Sequence, residues 1–192
     1  MEGQRPPFVQ QVKDEHPGKR LEVWFQDEAR VGQQGTLTNV WAAKGSRPTA
    51  VKQTEYDWVY VFGAVNPVTG DSAAIITPTV NTDYMNAHLL AISEQVGDDA
   101  HAVLVLDNAG WHVAKSLKVP GNLTLLHLPP YSPELNPVER LWAYLKSHYL
   151  ANRVFKDYQE LMDQSTIAWN KMTAELFRSI CECSWLTHES QT

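Results

Sequence analysis

Apolar and polar residues alternate along LEVWFQ, Leu21 to Gln26, with Leu21, Val23 and Phe25 on one face and Asp27 following on that face. This predicts a half-buried strand that ends at an aspartate. DWVYVFGAV, Asp57 to Val65, predicts a second strand, Asn66–Gly70 (NPVTG) its turn, and Ser72–Thr77 the returning strand. The intervening stretch carries Gly32, Gly35, Gly45 and Pro48 around a short hairpin expected at Thr36–Ala43. Asn81 or Thr82 can cap a helix running from about Asp83 to Gln95 and ended by Gly97, with Met85, Leu89, Leu90 and Ile92 facing the core. AVLVLD, Ala102 to Asp107, is nearly continuous apolar sequence, the mark of a strand covered on both faces. A short helix is expected around His112–Leu117, and another buried strand at Leu123–His127. Pro129, Pro130 and Pro133 exclude regular structure until Asn136, after which two helices are expected, at 137–150 and 157–178.

Three antiparallel strands that lead into alternating helices and strands predict an α/β fold, a mixed five-stranded sheet flanked by helices on both sides. One domain is expected over residues 20–180, after a polar lead-in or linker at 1–19 with room for a short helical turn, and before a C-terminal tail at 181–192.

Composition narrows the function. At 192 residues, 43% apolar and with seven Trp, the chain can bury a core and is not disordered. A net charge of −6 means that any affinity for nucleic acid comes from a local patch, from bound cations or from a partner segment. Cys181 and Cys183 are too close in sequence for an ordinary disulfide and read as free thiols. The N-terminus has no apolar signal core, and no run approaches the roughly 20 residues of a membrane span, so a cytoplasmic protein is expected.

Chemistry gathers at three acids. Asp27 and Asp107 each follow a strand, and sites in α/β sheets lie beyond the C-terminal strand ends. The third is Glu139, in LPPYSPELNPVERLW, Leu128 to Trp142. Carboxylates that converge from distant positions suit a metal-dependent phosphoryl-transfer site. Each also has a plainer reading. Asp27 can be a solvated strand end, and Asp107 starts Asp-Asn-Ala-Gly, good turn chemistry. With Asn136 as N-cap and Pro137 at the first helical position, Glu139 falls where a capping-box glutamate reaches back to the cap N–H, a role contributing about 1 kcal/mol. Glu134 is a rival for the third position, held in a proline-bound loop.

Together with VWFQDEAR (Val23–Arg30), VWAAKGSRP (Val40–Pro48), YVFGAVNPVTG (Tyr60–Gly70) and VLVLDNAGWH (Val103–His112), that string closely resembles the catalytic domain of DDE transposases of the mariner-like superfamily. Within that superfamily it looks like the bacterial insertion sequences of the six-thirty family, and the likeness covers most of residues 20–150. The resemblance implies an RNase H-like fold and assigns the catalytic and metal-binding acids to Asp27, Asp107 and Glu139. It implies two-metal phosphodiester hydrolysis at transposon ends and strand transfer into target DNA, with Mg²⁺ as cofactor and Mn²⁺ as substitute. Asp27 is then the best candidate to bridge two ions. The implied partners are DNA, as transposon ends and as target at TA, and a second copy of the chain. A helix-turn-helix segment that reads the ends would lie upstream or on a separate chain, and the setting would be the bacterial cytoplasm at the nucleoid.

Weaker candidates surround these. Asn108 and His112 could support Asp107 or touch DNA, although capping or packing serves His112 equally well. Lys44 and Arg47 flank a Gly-Ser turn and could meet phosphate, or simply be exposed. Tyr131 and Trp111 could stack or pack, with packing favoured. Val138, Leu141, Trp142, Leu145 and Tyr149 make a helical stripe that reads as core. Two other functions stay open at this point: a different RNase H-like nuclease, such as a resolvase or a nuclease of RNA–DNA hybrids, and a non-catalytic DNA-associated or protein-interaction module.

Overall fold

The computed structural model describes residues 7–33, 41–46, 53, 56–183 and 186. Its centre is a strand of 13 residues, β1 (Arg20–Gly32). With β2 (Trp58–Val65), β3 (Ser72–Thr77), β4 (Ala100–Leu106) and β5 (Leu123–His127) it forms one sheet in the order β3-β2-β1-β4-β5. β1 pairs antiparallel with β2, and β2 with β3, whereas β4 runs parallel to β1 and β5 parallel to β4. This is the mixed sheet that the strand and helix order predicts.

Alternation along β1 divides the interior in two. Phe25, Ala29 and Val31 enter a core with Val138, Leu141 and Leu145 of α3 (Val138–Leu145), Leu161 and Trp169 of α4 (Tyr158–Asn170) and Phe177 of α5 (Ala174–Ile180). Trp24 turns to the other face, against Phe62, Leu104 and Met85, Leu89 and Ile92 of α2 (Thr82–Ser93). Each large side chain so buried contributes about 1.5–3 kcal/mol. A slip of one residue would exchange the two faces, so the same burial that holds β1 also fixes which side Asp27 faces.

Several elements differ from the sequence reading, each for a local reason. β1 continues five residues past Asp27, because β2 pairs with it as far as Gly32↔Trp58; Asp27 therefore lies inside a strand, not after one. His112–Leu117 forms turns instead of a helix. There Asp107 Oδ1 accepts from Ala109 N and Ala109 O from His112 N, local bonds that compete with helical ones. In α2, His88 is fully buried and Leu90 is 56% exposed, since the inward face runs through Met85, His88, Leu89 and Ile92. α2 also stops at Ser93, short of Gln95 and Gly97.

The helix expected at 157–178 is two helices, the second capped by Thr173, whose Oγ1 accepts from Leu176 N. That expected at 137–150 is regular only to Leu145 and ends in a π-helical turn, Lys146–Leu150. The lead-in holds more than a turn: α1 (Pro7–Glu15) is a nine-residue helix that buries Val9 and Val12. Cys181 and Cys183 are free, and Cys181 is buried in the core. The hairpin expected at Thr36–Ala43 lies largely outside the described residues. Among them, no helix is long and apolar enough to cross a membrane.

Candidate active site

The three acids arrive from three elements. β1 and β4 are in register at Phe25↔Val105, so two residues further on Asp27 stands level with Asp107, just past the last residue of β4. Glu139 lies in the first turn of α3. All three line one cleft of about 350 Å³, walled by Asn108 and the loop Leu128–Pro133, with Asn136 at its back. Glu134, the rival, is exposed and is not among the lining residues.

Asn136 fixes where α3 begins. Its backbone is extended and Pro137 is already helical, so Asn136 is the N-cap and Glu139 the third helical residue. Asn136 Oδ1 accepts from Val138 N at 3.2 Å, while its Nδ2 donates to Gln26 O of β1 at 2.8 Å. The reciprocal half of a capping box is not made here. Asn136 N–H donates instead to Pro133 O at 2.9 Å, inside a 3₁₀ turn at Pro133–Leu135, and the Glu139 side chain is exposed at the cleft. The plainer reading of Glu139 thus loses its bond.

Asp27 faces α3. Trp142, one turn after Glu139 on the same side of the helix, donates its indole N–H to Asp27 Oδ2 at 2.8 Å. Trp142 is buried, as a core stripe requires, but it also carries a polar task that periodicity alone did not disclose. Its ring fits because residue 63, paired with Asp27 across β1 and β2, is glycine: a Cβ there would lie 2.5 Å from the Trp142 ring and 2.8 Å from that of Trp169. Burial pushes the Asp27 carboxyl up to about 7; the Trp142 bond opposes this, and the charges of Glu139 and Glu28 add to it.

Glu28 points to the opposite face of the sheet and builds a second polar group. It accepts from Gln26 Nε2 at 2.9 Å and Trp111 Nε1 at 3.2 Å, and lies 2.8 Å from His112 Nε2. The other ring nitrogen of His112 is 2.7 Å from Asp107 Oδ1. Burial disfavours a charged imidazole, yet the bond and charge of Glu28, with those of Asp107, outweigh it and raise the His112 pKa. Protonated, His112 donates to both carboxylates and holds Asp107 by Oδ1, the oxygen that also accepts from Ala109 N. Among the described residues no hydrogen bond falls on Asp107 Oδ2. Glu28 was missed by the sequence reading; its place beside Asp27, two residues from the buried Gln26 on the same face, was the available signal.

The remaining candidates separate. Asn108 lines the cleft and its Nδ2 holds Leu128 O at 2.6 Å, tying the β4 end to the proline loop. Trp111 packs edge-on against His112. Lys44 is exposed in a turn closed by Ser46 N to Ala43 O and is not among the lining residues. Arg47 lies outside the described residues. Among the described residues no three His, Cys, Asp or Glu side chains close around a single point. The acids instead line the cleft walls, which suits a hard cation that keeps several waters. An all-oxygen donor set fits such an ion, and a cation there would offset the burial and the Glu139 and Glu28 charges that raise Asp27.

A sheet of this order, three antiparallel strands and two parallel ones with flanking helices, is the RNase H-like fold. The profile of the family described as DDE superfamily endonuclease matches residues 22–162, and the chain belongs to that family. A protein of Sinorhizobium fredii, the uncharacterized y4pE/y4sA, is 51% identical over 115 residues, which cover 60% of this chain and 85% of that protein. Among solved structures, the Mos1 mariner paired-end complex with Mn is similar with a TM-score of 0.64 at 16% identity, over 83% of this chain and 51% of that one. The Mos1 strand-transfer complex is similar with a TM-score of 0.61 at 15% identity, over 91% and 54%. The chain therefore spans about half the length of these structures, and the likeness to them is one of fold.

Proposed function

We propose that this chain is the catalytic domain of a DNA transposase, cutting phosphodiester bonds at transposon ends and joining them to target DNA. The observation that carries the reading is the meeting of Asp27, Asp107 and Glu139 in one cleft, with Glu139 not engaged as a cap. The family supports a divalent-metal site, and Mg²⁺, with Mn²⁺ as substitute, suits its carboxylate donors. Bound there, such cations supply Lewis-acid polarisation of the phosphate and of the attacking and leaving oxygens. The residues of the chain do the positioning. Trp142 holds Asp27, His112 and Ala109 N hold Asp107, and the Asn136 cap aims Glu139. Glu139 also sits in the first turn of its helix, at the positive end of the helix dipole.

Substrate and setting follow the same reading. The net charge of −6 leaves end recognition to a helix-turn-helix segment, upstream or on another chain; the resemblance to mariner-like transposases points to TA sites as target. Two copies act together, one per end, at the nucleoid in the bacterial cytoplasm. Membership of the DDE superfamily endonuclease family supports the choice over other RNase H-like nucleases.

Glu139→Gln tests the assignment. The exposed amide costs little stability but is a poor ligand for a hard dication. Thermal melts should coincide with those of the wild type, while Mg²⁺-dependent DNA cleavage and Mg²⁺ binding by calorimetry are lost. Undiminished cleavage by the variant would remove Glu139 from the site.

A further inference from the structure

Among the described residues Tyr131 is the one cleft-lining aromatic, and it does not pack as the sequence reading favoured. Its side chain is fully exposed, at 101% of the reference, although it belongs to the same cleft as Asp27, Asp107 and Glu139. Its backbone holds φ at 59°, the left-handed region that a bulky residue enters at a cost. The surrounding sequence keeps it there. Pro129 and Pro130 precede it and Pro133 follows, which fixes φ at three positions, while Asn108 Nδ2 and Leu106 O tether Leu128 at the loop's base. This is an apolar ring on a stiff loop, shown to water at the rim of an acidic cleft, and no described residue covers it.

We infer that Tyr131 is a stacking platform for an unpaired nucleobase beside the phosphate held in the cleft. This rests on the DNA-cleaving reading above and adds the form of DNA: a strand end whose terminal bases have left the duplex. The acids that would hold cations at the phosphate repel the backbone around it, and the chain carries net charge −6, so flanking nucleotides need an attraction that is not Coulombic. Base–aromatic stacking supplies it, is tolerant of sequence, and asks only for an exposed ring face. A rigid loop adds affinity because the ring's position is set before the base arrives.

The test compares two DNA duplexes, one blunt and one with a three-nucleotide single-stranded end carrying 2-aminopurine, in binding to the 192-residue chain without divalent metal. The wild type and Tyr131→Phe should quench the 2-aminopurine and prefer the single-stranded end. Tyr131→Ala should weaken that binding on the order of tenfold, abolish the quench and leave blunt-duplex affinity unchanged. Because stacking is not screened, the ratio of Ala to wild-type affinity should hold as salt rises, whereas loss of a phosphate contact would shrink with salt. Equal affinity of Tyr131→Ala and wild type for the single-stranded end, or an equal loss on both DNAs, overturns the platform. If the wild type binds neither DNA, the platform is overturned, whereas the DNA-cleaving reading is judged separately, by Mg²⁺-dependent cleavage in the wild type and Glu139→Gln. Thermal melts of the three proteins should coincide, since the ring is exposed.

Discussion

Asp27→Asn gives the sharpest test of the site's electrostatics, because it replaces a carboxyl held up to about 7 by an isosteric amide that does not titrate. In the unfolded chain Asp27 has its ordinary value of 3.8. Between 3.8 and about 7 the metal-free folded protein therefore holds a proton that the unfolded chain has lost. Stability from this group is complete below 3.8 and is lost as pH rises through the folded value. At 1.36 kcal/mol per pH unit, the interval corresponds to about 4 kcal/mol. The amide introduced by Asp27→Asn keeps an oxygen for the Trp142 N–H, so the two proteins should be about equally stable near pH 4. By pH 8, Asp27→Asn should be the more stable by up to about 4 kcal/mol, on the order of 10 °C in Tm.

Urea unfolding in a chelator, followed by Trp fluorescence at each pH, measures the difference. The comparison is essential because other groups titrate in the same window. Burial holds His88 down at about 3, which costs stability as pH falls, and His112 is raised, which costs stability as pH climbs past its folded value. Both remain in the variant and cancel. Millimolar Mg²⁺ should then stabilise the wild type at pH 8 more than the variant, which has lost one of the three carboxylates of the cleft. Parallel stability curves for the two proteins from pH 4 to 8 would refute the reasoning.

Two further substitutions probe how the acids are held. Trp142→Phe keeps a ring on Gly63 and deletes the indole N–H to Asp27; calorimetry should show divalent-cation affinity reduced by about tenfold or more, and unchanged affinity would make Trp142 core alone. Asn136→Asp preserves an excellent helix cap, so capping alone predicts no loss. Because Nδ2 becomes an oxygen facing Gln26 O, urea unfolding should show a destabilisation of about 2–3 kcal/mol, and a stability equal to wild type would deny the link.

The strands were legible wherever one face is buried, because alternation and apolar runs record burial directly: Ser72–Thr77 and Leu123–His127 begin and end as the sequence predicts. The N-cap at Asn136 was legible because its signal is local. What stayed hidden depends on partners remote in sequence. β1 looked finished at Asp27 because polar Asp27, Glu28 and Arg30 break the apolar pattern; only pairing with β2 carries it to Gly32. Trp142 is apolar by periodicity, and its N–H acquires meaning only when α3 lies across β1. Glu28 drew no reading, because its partners Trp111 and His112 come from a loop more than 80 residues away in sequence. Tyr131 looked like packing material in a proline-rich string, and its exposure, which Trp142 of the same string does not share, shows otherwise.

These contacts reveal why a helix start, a strand and a glycine must occur together. Asn136 spends its acceptor on α3 and its donor on Gln26 O, the carbonyl just before Asp27, so a single buried side chain sets helix and strand at one separation. From that fixed point the helical repeat places Glu139 over the cleft and Trp142 one turn deeper. Trp142 reaches Asp27 only if nothing projects from β2 opposite it, the condition that Gly63 meets. The distance between Asp27 and Glu139 is thus set by bonds on either side of the pair and not by the pair itself, whose like charges repel. A site built this way keeps two carboxylates close before any cation arrives; burial of Asp27 beneath α3 raises its carboxyl, and the charge of Glu139 adds to that rise.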